Sequence, residues 1–276
     1  MQVYTNTQSA EPFFFRTSGS PNKPLFGCFH PPQGETVRES GIVLCYPLGR
    51  EYIRSHRAYR QLAMHLSNAG FPVLRFDFYG CGDSGGERGE GQISQWLDDI
   101  SAAVEEVRGR CNGDRVCLVG LRFGGALAML AGARRGDVAN LVLWNPVVSG
   151  REYIQEISEL PLQRKRRKGM STAAPSSNDG GQFTEIGGFP FANTFLSDLR
   201  NLNLLEVEKP PARNVFLIDS NQKSGYQELR QRLGLLTAQV EYQHIPSLEV
   251  WTRASTALVP AKVVEAAVSW ISGVSQ

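Results

Sequence analysis

Short apolar runs recur along the chain, separated by stretches whose apolar residues return every three or four positions. "GIVLCYP" (41–47), "FPVLRFDF" (71–78), "RVCLVG" (115–120), "NLVLWNPV" (140–147), "NVFLI" (214–218) and "AQVEYQHI" (238–245) read as strands. Helical spacing marks 55–70, 93–110, 123–135, a region near 225–233, and 260–271. In 93–110, Ile93, Trp96, Leu97, Ile100, Val104 and Val107 fall on one stripe, as on an amphipathic helix. Strands alternating with helices predict βαβ crossovers and a mostly parallel sheet with helices on both faces. The opening "PFFFRTSGSPNKPLFGCFHPP" (12–32) predicts two short antiparallel edge strands. The pattern fits one domain over residues 1–276.

Residues 151–200 interrupt the rhythm. "REYIQEISEL" reads as a helix, "RKRRK" (164–168) as a charged run, and "GMSTAAPSSNDGGQ" (169–182) as irregular. Such an insertion between sheet strands is either a lid over the carboxyl ends of the strands or a disordered surface loop. The aromatic "FPFANTF" (189–195) gives a lid something to dock. One short basic run without an aromatic platform reads as a solvated helix face rather than a nucleic-acid site.

Composition changes this picture little. Of 276 residues, 41% are hydrophobic and 20% charged, and the formal net charge is +2, which argues for neither nucleic acid nor membrane as partner. "MQVYTNTQSAEPFFF" has no basic head or long apolar core, so neither a signal peptide nor a membrane span is expected. The odd set Cys28, Cys45, Cys81, Cys111 and Cys117 lacks CxxC spacing, as for reduced thiols in a cytoplasmic protein. Cys45 and Cys117 read as small core residues. Four histidines without ligand spacing point to no metal, and no cofactor is expected.

The most informative stretch is "LVGLRFGGALAML" (118–130). Strand, Gly120, Leu121, Arg122, Phe123, Gly124 and helix reproduce the Gly-x-nucleophile-x-Gly elbow with arginine at its centre. "FDFYGCGDSGGERGEGQISQWLDDI" (76–100), "LVGLRFGGALA" (118–128) and "LVLWNPVVSGREYIQEI" (141–157) together resemble the α/β-hydrolase superfamily. Within it they resemble the exosortase A system-associated hydrolases of type 2, which also carry Gly-Leu-Arg at the elbow. The resemblance implies an α/β-hydrolase fold with a cap insertion. That family has no established reaction.

An α/β-hydrolase places a serine at the elbow, an acid past a late strand and a histidine after the last strand. Here the elbow holds Arg122. Asp219 stands at a strand end, slightly before the usual acid position near Lys223. Glu249, Val250 and Trp251 stand where the histidine belongs, and His244 falls inside the strand as an ordinary packed residue. Ser84 sits in a loop that shapes the pocket. Cys81 in "YGCGD" is the best thiol candidate, although no activating base is evident. Asp83 braces the same glycine-rich loop, which lacks dinucleotide-fingerprint spacing.

Arg122, beside the free amides of a helix start, suits recognition of a carboxylate or phosphate. Alternatively it pairs internally with Asp77, Asp219 or Glu249 and plugs the pocket. "YPLGREYIRSHRAYR" (46–60) puts Leu48 at the oxyanion-donor position, followed by Arg50, Glu51, Arg54, His56 and Arg57. This is either a polar pocket mouth or an exposed helix start. Arg122, Asp219 and Cys81 are thus the catalytic candidates. Leu48, Arg50, Glu51, Phe123, Ser84, Glu249 and Trp251 are the substrate-binding ones. Three readings stay open: an altered-site enzyme acting on an acyl or anionic small molecule, a pseudo-hydrolase binding an anion or a partner protein, and a non-hydrolytic acyltransferase, isomerase or cyclase. A homodimer fits all three.

Overall fold

A computed structural model describes residues 10–17, 22–33, 36–111, 113–167, 182–222, 225–252 and 259–275, with the side chains of 160–167 excepted. Strand β1 (Glu11–Arg16) pairs antiparallel with β2 (Pro24–His30), as the opening residues predict. Then follow β3 (Ser40–Cys45), α1 (Gly49–Asn68), β4 (Val73–Phe76), α2 (Ile93–Arg108), β5 (Arg115–Leu121), α3 (Phe123–Arg135) and β6 (Asn140–Trp144). After an insertion come β9 (Asn214–Asp219), α6 (Gly225–Leu236), β10 (Gln239–His244) and α7 (Ala261–Val274).

The eight-stranded sheet runs β1-β2-β4-β3-β5-β6-β9-β10. From β4 through β10 every neighbouring pair is parallel. In β3, Val43 and Cys45 join the core beneath α2 and α3, while Ile42 and Leu44 join that beneath α1 and α7. This two-residue alternation with both faces apolar is what a covered parallel strand requires. The carboxyl ends of β3, β5, β6 and β9 consequently deliver Tyr46, Arg122, Asn145 and Ser220 to one rim.

The insertion between β6 and β9 contains α4 (Gly150–Arg167), a hairpin of β7 (Phe183–Ile186) and β8 (Phe189–Ala192), and α5 (Asn193–Asn201). The first helix runs seven residues beyond "REYIQEISEL", through most of "RKRRK". Residues 168–181, including most of the irregular stretch, lie outside the described residues. The hairpin is an addition to the sequence reading. Its turn is Gly187-Gly188, with φ of 64° and 89°, a two-residue turn that only glycine enters freely. "FPFANTF" supplies both β8 and the start of α5. Phe191 stacks on Phe195 at 5.7 Å, and Phe195 meets Trp96 edge-on at 5.2 Å. Among the described residues no helix is long and apolar enough to cross a membrane.

Candidate functional site

The elbow keeps its backbone shape. Arg122 has φ 55° and ψ −121°, between the end of β5 and the first residue of α3. A non-glycine residue held there stores about 1–3 kcal/mol of strain. A Cβ on Gly120 would lie 2.4 Å from the Gly124 carbonyl oxygen, and one on Gly124 would lie 2.2 Å from that of Cys45. These two glycines therefore permit the close crossing of strand and helix. The Arg122 amide donates to the Trp144 carbonyl at 3.0 Å, and its own carbonyl accepts from Val147 N–H at 3.1 Å.

The Arg122 side chain is 1% exposed. Its Nε donates to Glu51 Oε1 at 3.1 Å and its Nη2 to Glu156 Oε1 at 2.7 Å. Tyr153 donates its hydroxyl to Glu51 Oε2 at 2.9 Å and stacks on Phe123 at 5.8 Å. The guanidinium lies over the rings of Tyr153 and Trp251, 5.5 Å and 5.3 Å from their centroids. Four segments far apart in sequence thus converge on one side chain: the first turn of α1, the elbow, α4 and the loop after β10.

Burial opposes charge on Arg122, but the fields of Glu51 and then Glu156 outweigh it, and the guanidinium titrates above its ordinary range. Burial pushes the Glu51 carboxyl upward, with Arg122 and Tyr153 pulling the other way. Two carboxylates face one guanidinium, so no positive charge is left over for an incoming anion.

The internal pairing of Arg122 does not use the carboxylates the sequence suggests, because each is engaged elsewhere. Asp77 accepts from Tyr52 OH at 2.8 Å and Asp83 N–H at 3.0 Å. Asp219, 1% exposed, accepts from the amides of Asn221 and Gln222 at 2.9 and 2.8 Å and from Tyr242 OH at 2.8 Å. Glu249 Oε1 accepts from Asn221 Nδ2 at 2.7 Å. Glu51 had a signal only once α1 is seen to begin at Gly49: Glu51, Ser55, Ala58 and Leu62 share the buried face of α1, so this carboxylate had to meet a cation inside. Glu156 lies three positions after the buried Tyr153 on α4 and had no comparable signal.

Arg122, Glu51, Phe123 and Trp251 are therefore brought together, whereas Asp219 is held apart. His244 Nδ1 is 3.8 Å from Asp219 Oδ2, beyond hydrogen-bond length, and has no hydrogen-bond partner. Lys223, near the usual acid position, lies outside the described residues. Leu48 is buried at the N-cap of α1. Arg50 Nε and Nη2 donate to the Gly187 carbonyl at 3.2 and 2.5 Å, so this residue docks the hairpin while lining the small cavity beneath it. Ser84 Oγ donates to the Asp77 carbonyl at 2.6 Å and accepts from Phe26 N–H at 2.8 Å, which bolts its loop to β2. Burial, then Asp77 and Asp99, push the Cys81 thiol up to about 12, so it carries little thiolate at neutral pH.

Above the elbow, Leu48, Glu51, Tyr153, Ile186, Phe191 and Trp251 enclose a cavity of about 50 Å³, room for one or two waters. A second cavity, 460 Å³, opens between Arg122, Glu152, Glu156 and Tyr226. A third, 310 Å³, lies between Tyr52, Phe78, Cys81, Arg88 and Phe189. Among the described residues no group of three or more His, Cys, Asp or Glu is placed to hold a metal ion.

The mostly parallel strand order and the strained strand-to-helix elbow at Arg122 define an α/β-hydrolase fold. A family model described as serine aminopeptidase, S33, matches residues 52–185. Est1E from Butyrivibrio proteoclasticus, with ferulic acid bound, superimposes with a TM-score of 0.65 at 15% identity, over 94% of this chain and 97% of that one. The Pyrococcus furiosus esterase PF2001 gives 0.62 at 16%, over 97% and 92%. Proline iminopeptidase of Mycobacterium smegmatis gives 0.64 at 12%, over 96% and 99%. No curated protein matches the chain in sequence.

Proposed function

We propose that the chain is a pseudo-hydrolase of the α/β-hydrolase fold, which binds an acyl or carboxylate small molecule and does not cleave it. One observation carries this reading: the guanidinium at the elbow is matched by Glu51 and Glu156 and covered by the Trp251 ring. Trp251 stands where the fold ordinarily supplies its imidazole, so both partners of the proton-transfer step are replaced, and they touch as a cation–π pair. A serine hydrolase needs a hydroxyl, a base within hydrogen-bond reach and room for a tetrahedral intermediate. The elbow offers no hydroxyl and, among the described residues, no histidine within reach of it, although a 460 Å³ cavity opens beside Arg122.

The insertion acts in this reading as a fixed cap, tied by Glu156 to Arg122 and by its Gly187 carbonyl to Arg50. Ligand class is inferred from the neighbours: an esterase, an iminopeptidase and a ferulic-acid complex all concern acyl groups. Placement beside the exosortase A system-associated hydrolases rests on the three quoted segments.

The test is turnover of 4-nitrophenyl acetate and butyrate by the purified chain. The expected rate equals that of buffer, and a fluorophosphonate probe leaves the protein unlabelled. Turnover that disappears in Asp219→Ala or Cys81→Ala would establish instead an enzyme with a non-standard nucleophile or base.

A further inference from the structure

We propose that the ligand site is the cleft between the loop after β3, the loop after β4 and the β7–β8 hairpin, and that it takes a monocarboxylic acid with a flat or short apolar body. This deepens the non-hydrolytic reading and rests on it for one point, that the ligand is released intact.

The cleft measures about 310 Å³, at the lower end of the roughly 300–1,000 Å³ typical of small-molecule sites. Tyr46, Tyr52, Phe78 and Phe189 supply ring surface, and Ile53 adds an apolar side chain that is 63% exposed. An isoleucine left that open in the first turns of α1, beside a concave aromatic wall, is surface waiting for an apolar body.

The polar groups decide the ligand's charge. Arg88 lines the cleft and lies over the Phe189 ring at 5.7 Å. Among the described residues no carboxylate pairs with it, in contrast to Arg122, Arg108 and Arg135. Among the described residues it is the one charged side chain lining the space. Asp77 sits behind Gly82, its oxygens taken by Tyr52 and Asp83, and the Ser84 hydroxyl is spent on the loop itself. Gly82 has φ 55° and lets the loop close tightly on Asp77: a Cβ there would lie 2.1 Å from Asp77 Oδ2.

Aromatic walls with one unmatched cation at the rim suit a ligand that is apolar at one end and singly negative at the other. A phosphate dianion brings two charges for one guanidinium and no body for the rings. A neutral apolar molecule fills the walls and leaves Arg88 unused.

The test is calorimetric titration of the full chain with 2-naphthoate, its neutral twin 2-naphthylmethanol and inorganic phosphate. Saturable binding of the acid is expected, about tenfold tighter than the alcohol. Arg88→Gln removes that preference without weakening the alcohol, and Ile53→Glu weakens both. Arg88 and Ile53 are exposed, so both variants fold. No saturable binding of the acid, equal affinity in Arg88→Gln, or phosphate binding as tightly as naphthoate would overturn the site. Hydrolysis of methyl 2-naphthoate by the same samples would overturn the non-hydrolytic reading alone, because the calorimetry decides the cleft separately.

Discussion

At Arg122 the chain holds a fixed charge in its interior, and what keeps it there is local: two carboxylates, a tyrosine hydroxyl and two rings. Arg122→Ala leaves Glu51 buried without its cation. The expected loss is about 3–5 kcal/mol, read from urea unfolding, and Arg122→Met combined with Glu51→Gln restores much of it, since removing both ions removes the desolvation cost. A second buried residue gives a pH test. Burial, then Arg75 and Arg60, lower the His30 pKa from 6.5 to about 4. Its folded pKa lies below its unfolded one, so the unfolded chain takes up more protons between those values. Stability therefore falls as pH drops from 6.5 towards 4, by about 2–3 kcal/mol for this group. His30→Gln keeps an acceptor for Arg75 Nε and does not titrate, so the difference between pH 7 and pH 4.5 unfolding free energies shrinks by that amount. At this scale the sequence put arginine at the centre of the elbow, where the structure also has it. It did not show which carboxylates Arg122 meets, because that depends on where α4 crosses the sheet. Glu51 lies on the buried face of α1, in a polar first turn that helical spacing does not mark.

Helices and buried strands were legible because their periodicity is written in every turn; α3 runs over the same residues that spacing marks, 123–135. The start of α1 was not, since "GREYIR" is polar and its buried positions carry glutamate and serine. The insertion escaped for another reason. A four-residue strand such as β7 has too few positions to show a period, and only Gly187-Gly188 marked the turn. What fixes the hairpin is aromatic packing on Trp96 and Phe123. Phe195→Ala removes that anchor. The expected cost is about 3–5 kcal/mol, and limited proteolysis should then cut within 183–201 while the sheet stays intact.

Over the whole molecule the alternating pattern specified an open parallel sheet, and strand order β4-β3-β5-β6-β9-β10 follows from its crossovers. Function was less legible, because this architecture hosts many chemistries and only the residues at its rim separate them. The elbow backbone holds an arginine, and the proposed non-hydrolytic reading sets up a sharp test. Arg122→Ser places a hydroxyl on an intact turn, yet Trp251 still faces it and, among the described residues, no imidazole does. The variant should stay unlabelled by a fluorophosphonate and turn over no 4-nitrophenyl ester. The convergence of four distant segments on Arg122 also has a consequence for biosynthesis. Glu51 precedes it by 71 positions, Glu156 follows by 34, and Trp251 comes much later in the chain. A nascent polypeptide emerging from the ribosome can neutralise that arginine early, but its full enclosure waits until the segment around Trp251 has also emerged.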